Sequence, residues 1–169
     1  MLLSKDDYVA LIGKSDVPKS KGNLFCYILD NTDEKMNVVT NIEKQRHLSS
    51  FFMNGDCGNL AEDLEKRIQP PVESWLRAFY DSEFIVTDSF HACVFSILFH
   101  KQFLVIGNKD RGLARIHSLL SMFGLEDRLT SDTGLDINRM KTINYDRVDE
   151  ILAKHREDSR SFLIQALTS

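Results

Sequence analysis

The chain has few cysteines and prolines, and it has no long apolar run. Its three cysteines, Cys26, Cys57 and Cys93, are widely spaced among 169 residues. An odd number without paired spacing argues against a disulfide framework and gives no zinc pattern, so reduced thiols are predicted. With only three prolines, the chain has little of the composition of a structureless linker.

Charge and hydropathy exclude further classes of protein. Lys and Arg number 21 against 25 Asp and Glu, a net charge of -4. That charge gives no general attraction to nucleic acids or acidic membranes, and no basic stripe is present. The apolar runs are far too short to span a membrane, and residues 1–8 contain too few apolar residues for a signal peptide. We therefore expect a cytoplasmic protein with no nucleic-acid partner and no membrane span.

What remains is the composition of a globular α/β protein. Hydrophobic residues make up 43% of the chain, and eleven of them are phenylalanines, enough for a core in a single domain spanning 1–169. Apolar runs alternate with segments of helical period, which predicts a parallel sheet with helical crossovers. Strands are predicted at 23–30, 47–53, 84–87 and 102–107, helices at 1–12, 34–46, 72–81, 89–100, 113–123 and 146–168, a loop at 13–22, a less certain helix within 56–71, and a short turn or edge strand at 125–129.

The segment 83–99 carries the clearest functional signal. Its first half is a continuous apolar run typical of a buried strand, and its second half is a helix that is apolar almost all round. Between them lie Asp88 and Ser89, two candidate N-caps, followed by His91. The carboxyl ends of strands in open α/β sheets are where ligands bind, and a helix N-terminus there favours an anion.

Two interpretations of His91 are open at this point. A histidine near a helix start is more often simply hydrogen-bonded than catalytic. The apolar helix around it, however, predicts a ring that is held in place and cannot swing into solvent. A positive helix end also lowers the pKa of a nearby histidine, which would keep His91 neutral and able to act as a base or a donor.

A second polar loop follows the next predicted strand. Residues 108–112 include Lys109 and Arg111, and Arg115 comes one helical turn later. If the two strands are neighbours, this loop and His91 together form a receptor for a phosphate or a carboxylate. The alternative is that these cations are solvated surface charges. The glycines of the loop do not match a dinucleotide fingerprint, so no nicotinamide or flavin cofactor is indicated.

Taken together, several segments of the chain resemble the polysaccharide pyruvyl transferase family. The combination covers nearly the whole chain and is more specific than any one piece. Ala92 follows His91 where the family usually has glycine. The segments are Met1–Tyr8, Trp75-Leu76, Phe84–His91, Val94–Phe99, Arg111–Leu120, Gly124–Leu129 and the closing helix from Tyr145 to Leu167 with Ser161-Phe162-Leu163.

The resemblance implies a fold and an activity. Family members are about twice as long and resemble two-domain GT-B transferases, so this Rossmann-like chain would be the C-terminal half of one, partnered by a missing N-terminal domain. The implied reaction transfers pyruvate from phosphoenolpyruvate to two sugar hydroxyls as a ketal in capsular or exopolysaccharide biosynthesis. No cofactor or metal is needed, and a homo-oligomer is possible. The implied site comprises His91 as the catalytic residue and Ser89, Asp88, Arg111, Arg115 and Lys109 as substrate-binding residues.

Two other functions stay open. A GT-B glycosyltransferase half would bind a nucleotide-sugar at the same edge of the sheet. A non-catalytic module would instead dock a partner through the N-terminal or the C-terminal helix. His91 together with the cationic residues of 108–115 favours the pyruvyl transferase, because a scaffold does not need them. An isolated half is expected to bind phosphoenolpyruvate weakly and to turn over little or nothing.

Overall fold

Five parallel strands form the centre of the molecule. The computed structural model describes residues 1–53, 70–107, 112–132 and 134–168. The strand order is β2-β1-β3-β4-β5, and every neighbouring pair is parallel. The fold is therefore the predicted α/β, Rossmann-like arrangement. Its resemblance to one half of a GT-B enzyme stays a prediction.

Six helices flank this sheet in the described ranges. Two short 3-10 turns, Glu126–Arg128 and Ile137–Arg139, lie before and after the last strand. The elements are α1 (Lys5–Gly13), β1 (Leu24–Tyr27), α2 (Asp33–Arg46), β2 (Ser50–Phe52), α3 (Val72–Asp81), β3 (Phe84–Thr87), α4 (Phe90–Leu98), β4 (Gln102–Ile106), α5 (Leu113–Phe123), β5 (Leu129–Thr130) and α6 (Tyr145–Thr168).

The hydrophobic core lies on both faces of the sheet. The larger cluster packs α3, α4, α5 and the start of α6 against one face, and it includes Phe25, Phe79 and Phe103, all fully buried. The smaller cluster packs α2 against the other face through Val38 and Ile42. Because both faces of the sheet are covered, β3 is buried at all four positions. Its first three residues are accordingly all apolar instead of alternating with polar ones.

Element boundaries differ from the predictions at several ends. α1 includes Gly13, so the predicted loop begins one residue later. β2 is three residues long, because His47 ends α2 in the left-handed conformation with φ of 54° and the chain then needs a turn before it can extend. The helix predicted within 56–71 falls almost wholly outside the described residues.

Two further observations concern the thiols and the lengths of the helices, and Cys57 lies outside the described residues. Cys26 and Cys93 are free and buried, and burial raises the pKa of each thiol to about 12. Within the described ranges, no helix combines the length and the apolar character that crossing a bilayer requires.

Candidate active site

His91 lies where β3 passes into α4. The strand ends at Thr87, the helix begins at Phe90, and His91 is the second helical residue. β4 runs directly beside β3, with Thr87 opposite Val105. The start of α5 therefore lies near the start of α4 at the same carboxyl edge of the sheet. The strand–helix joint that the sequence predicts is confirmed, and the condition that the two strands are neighbours is met.

The His91 side chain is exposed, and this corrects the expectation of a ring fixed by its helix. Its nearest aromatic neighbour is Phe90, with ring centroids 5.8 Å apart and planes at 77°. α4 packs on the core through the opposite face, with Cys93 and Ile97 buried while Val94 is only half-buried. A nearly all-apolar helix on the outside of a sheet still has one face toward solvent, and His91 lies there. The imidazole is thus accessible but not immobilised by packing.

Asp88 does not cap α4. Its carboxylate accepts hydrogen bonds from the backbone N–H of Leu29 at 2.8 Å and of Asp30 at 3.2 Å. The same carboxylate pairs with the Lys35 ammonium at 2.7 Å, and the Asp88 side chain has no exposed surface. These contacts hold the loop after β1 against the β3–α4 joint. Its predicted role in substrate binding stays a prediction, while the geometry gives it a positioning role.

The first turn of α4 has no side-chain cap. Ser89 occupies the N-cap position, yet its hydroxyl makes no capping hydrogen bond. The Ser89 N–H donates to Thr87 Oγ1 at 3.0 Å, and its carbonyl accepts from Cys93 N–H at 3.0 Å. No group in the described ranges accepts from the first-turn amides of α4. These amides and the positive end of the helix dipole therefore face the edge of the sheet without a partner.

Arg115 approaches the same place from α5. Its Cζ lies 5.4 Å from the centroid of the Phe90 ring, so that ring is flanked by both Arg115 and His91. The guanidinium also lies against Gly112, where an added Cβ would meet Nη2 at 2.8 Å and φ is +64°. Only glycine fits there without strain. Arg115 is exposed and has no acidic partner in the described part of the chain.

The remaining predicted cations are not placed. Lys109 and Arg111 belong to 108–111, outside the described residues. Of the predicted site residues, the structure thus brings together His91, Ser89 and Arg115 around the starts of α4 and α5, and it places Asp88 beneath them. That these residues contact a substrate stays a prediction.

Lys35 is a site residue that sequence reasoning missed. It is 8% exposed, pairs with Asp88, and donates a second hydrogen bond to the Asp30 carbonyl at 2.9 Å. A signal was available, because Lys35 shares one helical stripe with Val38, Val39 and Ile42 at spacings of three, four and seven residues. A lysine on the inward stripe of a helix needs a buried partner.

Tyr27 adds an aromatic group at the end of β1. Its carbonyl accepts from Thr87 Oγ1 at 2.6 Å, which ties β1 to β3 next to the site. Its ring packs edge-on against Trp75 at 5.6 Å. Burial, and secondarily the negative charge of Asp88, raise the pKa of the Tyr27 phenol. The phenol is therefore a neutral group at pH 7.

The described residues offer no metal centre. Nowhere in the described ranges do three or more His, Cys, Asp or Glu side chains come together as a metal ion would require. Among the described residues, the edge offers an imidazole, a guanidinium, hydroxyls and two helix N-termini. That set can bind an anion and transfer a proton.

Comparison with known protein families identifies the chain. The family model described as polysaccharide pyruvyl transferase matches residues 2–110, which is nearly two thirds of the sequence. The chain belongs to this family. No curated protein and no solved structure gives a significant match.

The pyruvyl transferase match includes part of the candidate site. It contains β1, Asp88, Ser89 and His91, and it ends at residue 110, before Arg115. The segment that carries the His91 imidazole therefore lies within the part of the chain that matches the family. The position of Arg115 beside it rests on the geometry alone.

Proposed function

We propose that this chain contributes the donor-binding part of a polysaccharide pyruvyl transferase, with phosphoenolpyruvate as the pyruvate donor and sugar hydroxyls as acceptors. Family membership supports the transferase class. The observation that carries the proposal is the exposed His91 imidazole in an uncapped helical turn at the carboxyl end of β3.

The donor is a doubly acidic molecule, and the edge of the sheet is suited to one. Phosphoenolpyruvate carries a phosphate and a carboxylate. The starts of α4 and α5 both lack side-chain caps and present positive dipole ends. Arg115 supplies a guanidinium with no competing carboxylate in the described ranges, and a guanidinium binds either acidic group by paired hydrogen bonds.

The proposed chemistry needs one proton donor and one acceptor. A proton added to the methylene carbon of the donor makes C2 an oxocarbenium-like centre. One sugar hydroxyl bonds to C2, a second replaces the phosphate, and the two hydroxyl protons end on the new methyl group and on the phosphate. His91 is the proposed acid–base, since an accessible imidazole can take a hydroxyl proton and return it to carbon.

The wider context is also proposed. The chain is the C-terminal half of a two-domain GT-B-type enzyme, and the acceptor saccharide is held partly by an N-terminal domain. The product is a pyruvylated capsular polysaccharide or exopolysaccharide, and the reaction is cytoplasmic. We propose that no cofactor takes part, and a redox cofactor is not needed because neither oxidation nor reduction occurs.

Calorimetric titration with phosphoenolpyruvate tests the proposal on the chain as it stands. Wild type is expected to bind weakly, and His91→Ala and Arg115→Gln are each expected to weaken binding about tenfold, because each removes a hydrogen bond to a charged group. His155→Gln is the matched control, because His155 is an exposed histidine on α6, which is not part of the candidate site.

Two outcomes contradict the proposal. Equal affinity of wild type and His91→Ala would remove His91 from the donor site. Tighter binding of uridine diphosphate than of phosphoenolpyruvate would favour a nucleotide-sugar glycosyltransferase instead.

A further inference from the structure

A cavity lies at the amino edge of the sheet, opposite the candidate active site. It has a volume of about 690 Å³ and is formed by the end of α5, the 3-10 turn Glu126–Arg128, the segment 135–144 and the start of α6. The ends of α2 and α5 and the start of β4 adjoin this region. Cavities of this volume are typical of small-molecule sites.

A buried arginine forms part of the cavity wall. The Arg128 side chain is 3% exposed. Its Nη2 donates to Asp127 at 2.9 Å and to the Lys141 carbonyl, while its Nε has no acceptor in the described ranges. The Asp127 carboxylate is itself 54% exposed, so solvent weakens the pair. A second cavity of about 260 Å³ also includes Arg128. A buried charge with an unused donor is costly unless another group compensates it.

Two further cations and a helix start border the same cavity. Lys141 and Arg147 are exposed and have no ion-pair partner in the described ranges. The cavity also includes Asn144 and the first turn of α6, a 24-residue helix whose positive dipole end lies there. Asn144 Oδ1 already accepts from the Asp146 N–H at 3.0 Å, so part of that turn is capped.

The acidic residues of the cavity do not cancel these charges. Asp136 pairs with Arg139 at 3.2 Å, and Asp127 pairs with Arg128. The Glu126 carboxylate accepts a hydrogen bond from Ser121, and its pKa is lowered chiefly by backbone and Ser121 hydrogen bonds. Glu126 keeps its negative charge, so the lining has four cationic side chains against three carboxylates, a net charge of +1 to which the α6 dipole adds.

We propose that this cavity is a second anion site, which binds the phosphate group of a small phosphorylated metabolite. Lys141 and Arg147 contact the phosphate, and the first turn of α6 donates backbone N–H groups to it. Arg128 strengthens the positive potential from beneath. The volume beyond the phosphate accommodates a sugar-sized organic part. This site is separate from the donor site, and it does not depend on the proposed transferase function.

Nitrogen-15 NMR of the full chain tests this assignment. Titration with inorganic phosphate is expected to give saturable shifts of the backbone amides of residues 145–147 and of the Arg128 Nε–H resonance. Titration with glucose 1-phosphate is expected to shift the same signals at lower concentration. Equal affinity for the two ligands would identify free phosphate as the ligand and overturn the sugar-phosphate assignment.

Variants separate this site from the donor site. Arg147→Gln and Lys141→Gln are each expected to weaken phosphate binding at least fivefold. Lys154→Gln is the matched control, because Lys154 is an exposed cation on α6 that does not line the cavity. His91→Ala is expected to leave these shifts unchanged. Absence of saturable shifts at residues 145–147, or unchanged affinity in Arg147→Gln, overturns the proposal.

Discussion

At the scale of single residues, the buried Asp88 carboxylate determines whether the first turn of α4 is capped. Sequence pattern alone makes it a helix cap, because it stands next to the start of an apolar helix. In the structure its oxygens are engaged by Leu29, Asp30 and Lys35, residues more than fifty positions away in the sequence. With Asp88 so engaged, the first turn of α4 stays free for a ligand.

Breaking the Asp88–Lys35 pair is expected to destabilise the fold strongly. Asp88→Ala leaves a buried ammonium and two loop amides without their acceptor. A loss of about 3 kcal/mol in the free energy of unfolding is expected. Urea denaturation followed by circular dichroism measures it, with Asp33→Ala on the exposed start of α2 as the control. A loss no larger than that of the control would show that the pair does not hold the loop.

Local pattern could not have predicted these residue contacts. The spacing of Lys35 with Val38 and Ile42 indicates an inward lysine, but nothing in the sequence names its partner. The exposure of His91 has a similar origin. The composition of α4 predicts burial, whereas the actual burial depends on which face of the helix meets the sheet, and Cys93 and Ile97 occupy that face.

At the scale of elements, the bounds of a helix or strand could be predicted from the sequence where a residue that ends such elements stands next to it. α3, β3 and α5 have the predicted bounds, because Pro71 precedes α3, Ser82 ends it and Gly124 closes α5 in the left-handed conformation. β5 is ambiguous in sequence, because a two-residue strand directly follows a 3-10 turn. Such short elements are specified by pairing with β4 rather than by their own residues.

α1 provides a test of a local capping signal. The Ser4 hydroxyl accepts from the Asp7 N–H, and the Asp7 carboxylate accepts from the Ser4 N–H at 2.7 Å. Hydrogen bonds from the Ser4 side chain and then its backbone lower the pKa of Asp7. Ser4→Ala is therefore expected to raise the pKa of Asp7 toward its ordinary value, as measured by NMR titration of the carboxyl carbon.

The sign of the pH effect follows from that lowered pKa. The ionised Asp7 stabilises α1 at pH values above its unfolded-state pKa, and this contribution is lost as the pH falls through the lower folded-state pKa. Fraying of α1 in Ser4→Ala should thus begin at a higher pH than in wild type. Equal Asp7 titrations in both proteins would contradict the capping box.

At the scale of the whole molecule, the candidate active site and the cavity proposed as an anion site lie at opposite edges of the sheet. β3 and β4 are neighbours, which brings the starts of α4 and α5 together at the carboxyl edge. The amino edge holds the cavity of about 690 Å³ and the start of α6. The alternation of strands and helices in the sequence predicted a candidate site at the carboxyl edge. The cavity at the amino edge could not be predicted in this way, because it depends on the segment 135–144, whose hydrophobic pattern has no regular period.

The distal part of α6 is expected to contribute little to the stability of this chain. Only Val148 and Leu152 are buried on this helix, and every described residue from 157 onward is exposed. Removal of residues 161–169 should change the free energy of unfolding by less than about 0.5 kcal/mol. Thermal unfolding of the shortened chain measures this, and a loss above 2 kcal/mol would show that the distal turns pack against the domain.

The central claim is that the His91 imidazole faces bound phosphoenolpyruvate. The most direct measurement is the NMR spectrum of the five histidine rings during titration with phosphoenolpyruvate, with the His91 signal assigned by its loss in His91→Ala. The account predicts a saturable shift of the His91 ring signals while His47 and His155 stay unchanged. Saturable binding seen at other residues without any movement of the His91 signals would contradict it.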